Sequence, residues 1–274
     1  WWRMTKGPQT ALLLVTGLAG WFSVGPARHG SGWALAGSLL LAIAGSTVLN
    51  MVHDRDIDMR MRRTVSRPLV TGRLRVRTAA LVGVGATAAG VAWALAADTL
   101  YGAIVLAGAA LDVGVYTFWL KRRTPWAILW GGFAGAMPAL AGRALGAGEV
   151  EAVGLLLALA VLLWIPTHIL TFSLKHAEEY RAAGVPVLPN VRGERLTRWV
   201  IGVSTALAGM AMLGATALAN TGPEAIALVA LAGLGLAGMA AMVATRASAR
   251  LDRALYRFAS LYMLAAMVAL AAGG

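Results

Sequence analysis

Long apolar runs alternate with short polar segments along almost the whole chain. Runs of about 17–22 residues with few charges are long enough to cross the hydrocarbon core of a bilayer as helices. We therefore predict an all-α integral membrane protein, one domain over residues 1–274, built as a bundle of nine transmembrane helices. The predicted spans are 9–25, 33–53, 76–97, 100–120, 125–143, 151–172, 197–219, 224–245 and 254–272.

The fifth predicted span is unusually rich in small residues. Its sequence "GGFAGAMPALAG" (131–142) places glycine and alanine at the spacing that lets two membrane helices approach closely. Pro138 within it is expected to kink the helix. We assign this stretch a packing role and no chemistry.

Charge is distributed unevenly between alternate loops. With the N-terminus in the cytoplasm, all of the 24 basic residues except Arg28 and Arg143 fall on the inner side. Cytoplasmic loops of membrane proteins carry such an excess, so we expect the C-terminus outside and any site on the inner face. The net charge of +12 is then an orientation signal and an attraction to anionic lipid headgroups. The absence of cysteine excludes disulfides and thiol catalysis.

The inner loop 54–75 contains a cluster of acids and arginines, "NMVHDRDIDMRMRRTVSRPL" (50–69). Asn50, Asp54 and Asp58 recur every four residues and would share one face of a continuing helix. Oxygen ligands in such a line suit a diphosphate held with Mg²⁺. Asp56 points elsewhere and is expected to pair with neighbouring arginines. The guanidinium donors for phosphate oxygens would be Arg60, Arg62, Arg63 and Arg67.

A second inner loop, 173–196, contains "LKHAEEY" (174–180), in which Lys175 and Glu179 are one turn apart. Two acidic patches facing each other could hold a diphosphate through bridging metal, although a solvated helix end explains this loop about as well. Further candidates at the end of the fourth span are Tyr116, Lys121, Arg122 and Arg123, for which anchoring at the membrane surface is the alternative. Asp112 and His168 lie deeper, where an ionisable group should face the bundle interior.

These segments resemble the UbiA superfamily of intramembrane prenyltransferases, and most of all its branch that farnesylates protoheme IX. The first aspartate-rich motif carries the resemblance, together with "YTFWLKRRTPWAILWGGFAGAMPALAG", "HILTFSLKHAEEYRAAGVPVLP" and "MTKGPQTALLLVTGLAG". The likeness runs from about Met4 to Gly193. This chain departs from the family at Glu179, where an aspartate is usual, and at "PVL" (186–188) and "PTHI" (166–169), where the family has Pro-Met-Leu and Pro-Pro-His-Phe.

The resemblance implies farnesyl diphosphate and protoheme IX as substrates, Mg²⁺ as cofactor, and a multi-pass protein of the cell membrane with its site on the cytoplasmic side. It further implies hand-over of product to haem A synthase or terminal oxidase assembly. The implied metal ligands are Asn50, Asp54, Asp58 and Glu179. Lys121 and Lys175 would act with them in catalysis, and the implied substrate contacts are Arg62, Arg63, Arg67, Tyr116, Arg122, His168 and Tyr180.

Other activities fit the same residues. A sibling enzyme that prenylates an aromatic quinone precursor or a glycerol-phosphate lipid would use the same diphosphate site, and a membrane terpene cyclase would use it without an acceptor. A transporter would be expected to place its polar groups near the bilayer midplane, whereas these acids are concentrated at the inner rim.

Overall fold

The computed structural model describes residues 4–26 and 28–273. Within these ranges the chain is helical, with loops and turns but no strand. The helices are α1 (Gly7–Phe22), α2 (Gly32–His53), α3 (Arg55–Asp58), α4 (Val76–Ala97), α5 (Thr99–Ala109) with a π-helical continuation (Ala110–Leu120), α6 (Ala127–Ala147), α7 (Ala152–Lys175), α8 (Ala177–Ala182), α9 (Leu188–Arg192), α10 (Glu194–Leu218), α11 (Pro223–Thr245) and α12 (Ala249–Gly273).

Seven helices of the described ranges are long and apolar enough to cross a membrane: α2, α4, α5 with its π-helical continuation, α7, α10, α11 and α12. The all-helical, multi-pass prediction is confirmed by these helices. Among the long helices, α1 with 16 residues and α6 with 21 residues are not in this set. The count of nine spans therefore stays a prediction, as does the orientation of the termini.

Several helices extend beyond the apolar runs that predicted them. α12 begins at Ala249, five residues before the predicted span, and includes Asp252, Arg253 and Arg257. The difference arises because a helix satisfies its own backbone hydrogen bonds and can continue past the hydrocarbon core into the polar headgroup region. Pro138 lies inside α6, which continues through it to Ala147.

The bundle is closed by contacts between the first and last long helices. α1 packs against α2, α6 and α12, while α7 packs against α6, α10 and α12. At the α1–α6 crossing, a Cβ on Gly142 would lie 1.9 Å from the backbone oxygen of Gly17, and one on Gly20 would lie 2.4 Å from that of Ala139. The close packing predicted for the small-residue stretch is therefore confirmed, and it brings α1 against the centre of the bundle.

The π-helical segment Ala110–Leu120 shapes the inner end of the fourth hydrophobic run. The π-helical hydrogen-bond pattern extends to Lys121, whose N–H donates to the carbonyl of Tyr116, five residues earlier, at 2.9 Å. π-helical turns are uncommon and occur frequently at functional sites. This one places Tyr116, Thr117 and Lys121 beside the end of α2.

Candidate functional site

The first acidic motif forms one helical face, as its spacing predicts. The N–H of Asp54 donates to the carbonyl of Asn50 at 3.0 Å, and the N–H of Asp58 donates to that of Asp54 at 2.8 Å. The helical turn therefore continues across the junction of α2 and α3. Asn50, Asp54 and Asp58 are buried, with 4–5% of their surface exposed. Burial of two carboxylates at one helix end requires compensating charges.

Two cations provide that compensation. Lys121 Nζ donates to Asp54 Oδ2, and Arg67 Nη1 donates to Asp58 Oδ2 at 2.5 Å. Burial disfavours the charge of Lys121, but the neighbouring Tyr116 and Asp54 outweigh it and raise the pKa of this ammonium above its ordinary value. Asp54 Oδ1 is buried and accepts no hydrogen bond from residues 4–26 or 28–273. Each acid thus has a basic partner, and Asp54 Oδ1 is available to another ligand.

Asn50 is held in a fixed orientation by a residue of the π-helical segment. Its amide nitrogen donates to Thr117 Oγ1 at 2.9 Å, which turns Oδ1 toward Lys6, whose Nζ lies 3.4 Å away. Burial, followed by the positive charges of Lys121 and Arg67, lowers the pKa of Lys6 to about 8. Three basic side chains therefore converge at this end of the bundle.

A cavity of about 350 Å³ lies at this end of the bundle, and its wall includes Lys6, Asn50, Asp54, Asp58, Arg67, Tyr116 and Lys121. A smaller cavity of about 90 Å³ adjoins it, and Gln9, Thr47, Asp112 and Gly131 line both. The walls of the smaller cavity are mostly apolar or small residues from α1, α2, α5 and α6. A polar mouth that opens into an apolar interior suits an amphipathic ligand with an anionic head and a hydrocarbon chain.

The second inner loop contributes to the mouth through Tyr180. Arg63 Nη2 donates to the Tyr180 hydroxyl at 3.1 Å, and its guanidinium lies 4.9 Å from the ring centroid of Phe172. Beneath them the two inner loops share a small apolar core, formed by Ile57, Met61, Ala183 and Val185. The two loops predicted to carry the site therefore pack together, and Arg63, Arg67, Tyr116, Lys121, His168 and Tyr180 all line the larger cavity.

Six predicted site residues are not part of the cavity wall in the described chain: Arg60, Arg62, Arg122, Arg123, Lys175 and Glu179. Glu179 Oε1 lies 3.3 Å from His176 Nδ1, and its Oε2 is buried without a hydrogen-bond partner among the described residues. Lys175 and Arg62 are exposed. Arg122 forms a bidentate pair with Asp56 at 2.6 and 2.8 Å, and this hydrogen bonding lowers the pKa of Asp56. Asp56 pairs with an arginine as predicted, although the partner comes from another loop.

His168 lies within an aromatic stack between α7 and α12. Its ring centroid is 5.2 Å from that of Trp164 and 4.9 Å from that of Tyr256. The ring also lines the larger cavity, while Nδ1 is buried and has no hydrogen-bond partner in the part of the chain that the structure describes.

The side-chain oxygens at the cavity mouth can be compared with the ligands that Mg²⁺ prefers in proteins. Among residues 4–26 and 28–273, no three acidic, histidine or cysteine side chains come together as a ready cation cage. Mg²⁺ commonly uses one or two carboxylates and completes its shell with water and substrate phosphate oxygens. The oxygens of Asn50, Asp54 and Asp58, with Asp54 Oδ1 unpartnered, fit that mode of binding.

Sequence reasoning missed two residues of the cavity region. Lys6 was counted only as a cytoplasmic charge, and Thr117 was read as part of an apolar span. The position of Lys6 directly before the first helix, at the same membrane surface as the acidic motif, is a signal that could have identified it. Nothing in the sequence pairs Thr117 with Asn50, 67 residues away.

The chain is similar to known proteins along most of its length. The model of the UbiA prenyltransferase family matches residues 11–264. The protoheme IX farnesyltransferase of Thermofilum pendens is 44% identical over 70% of this chain and 69% of its own length. That of Pyrobaculum neutrophilum is 36% identical over 90% and 88%.

Solved structures share the fold at lower identity. A structure of digeranylgeranylglyceryl phosphate synthase superposes with a TM-score of 0.82 at 17% identity, covering 99% of this chain and 96% of that one. A UbiA homologue from Archaeoglobus fulgidus bound to GPP and Mg²⁺ gives a TM-score of 0.70 at 16% identity and covers 98% of each chain. On the family match and the identities to its relatives, the chain belongs to the UbiA prenyltransferase family.

Proposed function

We propose that this prenyltransferase moves the farnesyl group of farnesyl diphosphate to a vinyl group of protoheme IX and so converts haem B to haem O. The observation that carries the proposal is the junction of a charged mouth, where Asp54–Lys121 and Asp58–Arg67 meet, with an apolar interior. The choice of acceptor is supported by relatives at 36–44% identity that are named protoheme IX farnesyltransferases. Farnesyl diphosphate would enter laterally from the bilayer.

The first chemical step breaks the bond between farnesyl C1 and the diphosphate oxygen. Negative charge then grows on the leaving group, and preorganised cations stabilise it most where water is excluded. Lys121 and Arg67 occupy that position, and each can shift from its carboxylate toward a phosphate oxygen. Mg²⁺ held by Asn50, Asp54 and Asp58 would neutralise diphosphate charge. Glu179 and Lys175 would need to turn toward the mouth to take part.

The second step joins farnesyl C1 to the terminal carbon of the vinyl group. The positive charge moves to the inner vinyl carbon, where water adds its oxygen and loses a proton, leaving a hydroxyl. The apolar walls of the adjoining cavity shield the allylic cation from premature capture by water. His168, which packs with Trp164 and Tyr256 and lines the larger cavity, would contact the porphyrin.

The proposal also includes the membrane topology of the chain and the transfer of its product. A single domain over 1–274 would cross the cell membrane nine times, with the N-terminus and the mouth on the cytoplasmic side and the C-terminus outside. α1 and α6 would complete the nine spans, since both lie inside the bundle against other long helices. Product would pass to haem A synthase or to terminal oxidase assembly.

One assay tests the donor and acceptor together. Purified protein in detergent is incubated with Mg²⁺ and farnesyl diphosphate, and with haem B, an aromatic quinone precursor, a glycerol-phosphate lipid or no acceptor. We expect a product with the mass of haem B plus farnesyl and hydroxyl, and no other prenylated acceptor. Prenylation of the aromatic compound or the lipid would overturn the assignment of haem, and a hydrocarbon formed without acceptor would indicate a terpene cyclase.

A further inference from the structure

We propose that Lys6 is a third cation, with Lys121 and Arg67, of the site that binds the prenyl donor. Its ammonium would bind an anionic oxygen of the diphosphate. The inference rests on the proposed function, which identifies the prenyl donor as farnesyl diphosphate. It adds a residue from the start of α1 to a site so far built from α2, the loop after it and the end of the π-helical segment.

Lys6 differs from Lys121 and Arg67, the two other cations that lie beside the acidic motif. Lys121 and Arg67 already have carboxylate partners in Asp54 and Asp58. Within the described ranges, the Lys6 ammonium forms no ion pair, and its one hydrogen bond is a long contact of 3.4 Å with Asn50 Oδ1. Its side chain lines the larger cavity. It is therefore a cation that faces the ligand space without an ion-pair partner, and the nearby carboxylates of Asp54 and Asp112 act on it only from beyond ion-pair distance.

The balance of charge around the cavity supports an anionic ligand. The charged lining comprises four basic residues, Lys6, Arg63, Arg67 and Lys121, and three acidic residues, Asp54, Asp58 and Asp112. A poorly solvated ammonium without a partner carries a desolvation cost that a bound anion removes. Mg²⁺ would add more positive charge, and a diphosphate supplies enough negative charge to compensate for both.

The backbone at Lys6 is also unusual. Its φ and ψ of 45° and 56° lie in the left-handed region, which is uncommon for a residue other than glycine. Its carbonyl accepts hydrogen bonds from the N–H groups of Gln9 and Thr10 at 2.8 and 3.2 Å, at the first turn of α1. Backbone strain of this kind occurs at ligand sites that the surrounding structure holds in place. Here it fixes a lysine beside Asn50 at the cavity mouth.

A carboxylate of the acceptor offers the same chemistry as a phosphate oxygen. The diphosphate is favoured because Lys6 lies beside Asn50 and shares its electrostatic surroundings with Lys121 and Arg67, the two cations on the acidic motif. Separate binding measurements distinguish the two sources.

The test compares Lys6→Asn and Lys6→Arg with the unchanged protein and with Arg73→Gln, a control at an exposed arginine outside the cavity. Asparagine removes the charge but tolerates the left-handed backbone. Affinities for inorganic diphosphate and for farnesyl diphosphate, each with Mg²⁺, are measured by calorimetry in detergent without acceptor. Haem B binding is followed by absorbance, and thermal unfolding reports whether each variant is folded.

We expect Lys6→Asn to weaken binding of both diphosphates at least about tenfold, as loss of a charge-assisted contact of about 1.4 kcal/mol or more implies. Lys6→Arg should stay within about threefold of the unchanged protein, and haem B binding should not change. Unchanged diphosphate affinity in a folded Lys6→Asn protein would overturn the proposal, as would a loss confined to haem B. Because this measurement needs no acceptor, failure to form haem O would count against the proposed function alone.

Discussion

Asn50 Nδ2 donates a hydrogen bond to Thr117 Oγ1 at 2.9 Å, and this bond joins the last turn of α2 to the π-helical segment. Because the amide nitrogen is occupied by Thr117, the amide oxygen faces Lys6 and the cavity mouth. Thr117 is fully buried, so the hydrogen bond is protected from competing water. The pairing explains how an asparagine within a membrane helix can present an oxygen ligand in a defined direction.

Replacing Thr117 by valine keeps the volume and removes the acceptor of this bond. The Asn50 amide could then rotate, and a misplaced metal ligand commonly costs tenfold or more in metal affinity. We expect Thr117→Val to raise the Mg²⁺ concentration needed for half-maximal activity about tenfold, measured by titrating Mg²⁺ in the haem O assay. An unchanged Mg²⁺ dependence would show that the hydrogen bond does not position a ligand.

Asp54→Ala and Asp58→Ala should each abolish turnover while leaving the protein folded. Each removes one buried carboxylate of the acidic face and leaves its cation, Lys121 or Arg67, without a partner. We expect a loss of more than about 100-fold in product formation, since transition-state charge stabilisation is commonly worth that much. Folding is checked by thermal unfolding in detergent, and near-normal activity in either variant would refute the metal role of that residue.

Glu179 tests whether the second inner loop contributes a carboxylate. Its Oε2 is buried and no described residue forms a hydrogen bond with it, although the side chain lies beside His176 rather than in the cavity wall. If it meets Mg²⁺, directly or through water, Glu179→Asp should retain much of the activity and Glu179→Gln should lose most of it. The exposed neighbour Glu178 is the matched control, and Glu178→Gln should have a milder effect. Equal tolerance at both positions would limit the metal site to Asn50, Asp54 and Asp58.

The orientation of the bundle can be measured because the chain contains no cysteine. Ser66, in the loop after α3, and Glu149, between α6 and α7, are both exposed. We expect a membrane-impermeant thiol reagent to label Glu149→Cys in intact cells and to label Ser66→Cys only after the cells are permeabilised. Labelling of Ser66→Cys in intact cells would contradict the positive-inside prediction.

Stability should depend on the close crossing of α1 and α6. A Cβ on Gly142 would collide with the backbone of Gly17, whereas one on Gly238 would meet nothing within 4 Å. Overpacking of this kind typically costs about 1–3 kcal/mol, so Gly142→Ala should lower the unfolding temperature in detergent. Gly238→Ala is the control and should leave it unchanged or slightly higher, because alanine favours helix over glycine. Equal unfolding temperatures would show that the crossing can relax.

The sequence alone determined the helical, multi-pass class of this protein, because a bilayer leaves its spanning segments few ways to satisfy their backbone hydrogen bonds. It also determined the shared face of Asn50, Asp54 and Asp58, since positions four residues apart are neighbours on any helix. The sequence also placed several arginines close to these acids along the chain, but it did not show that Arg67 pairs with Asp58, nine residues away.

Only the tertiary structure decided which distant groups meet. Lys121 reaches Asp54 and Thr117 reaches Asn50 across 67 residues, and Lys6 reaches Asn50 across 44. Contacts of this range depend on how helices pack and on the register of the π-helical segment, neither of which has a local sequence signal. The same packing turned Arg122 toward Asp56 and kept Glu179 beside His176, because side-chain direction follows the final placement of each loop.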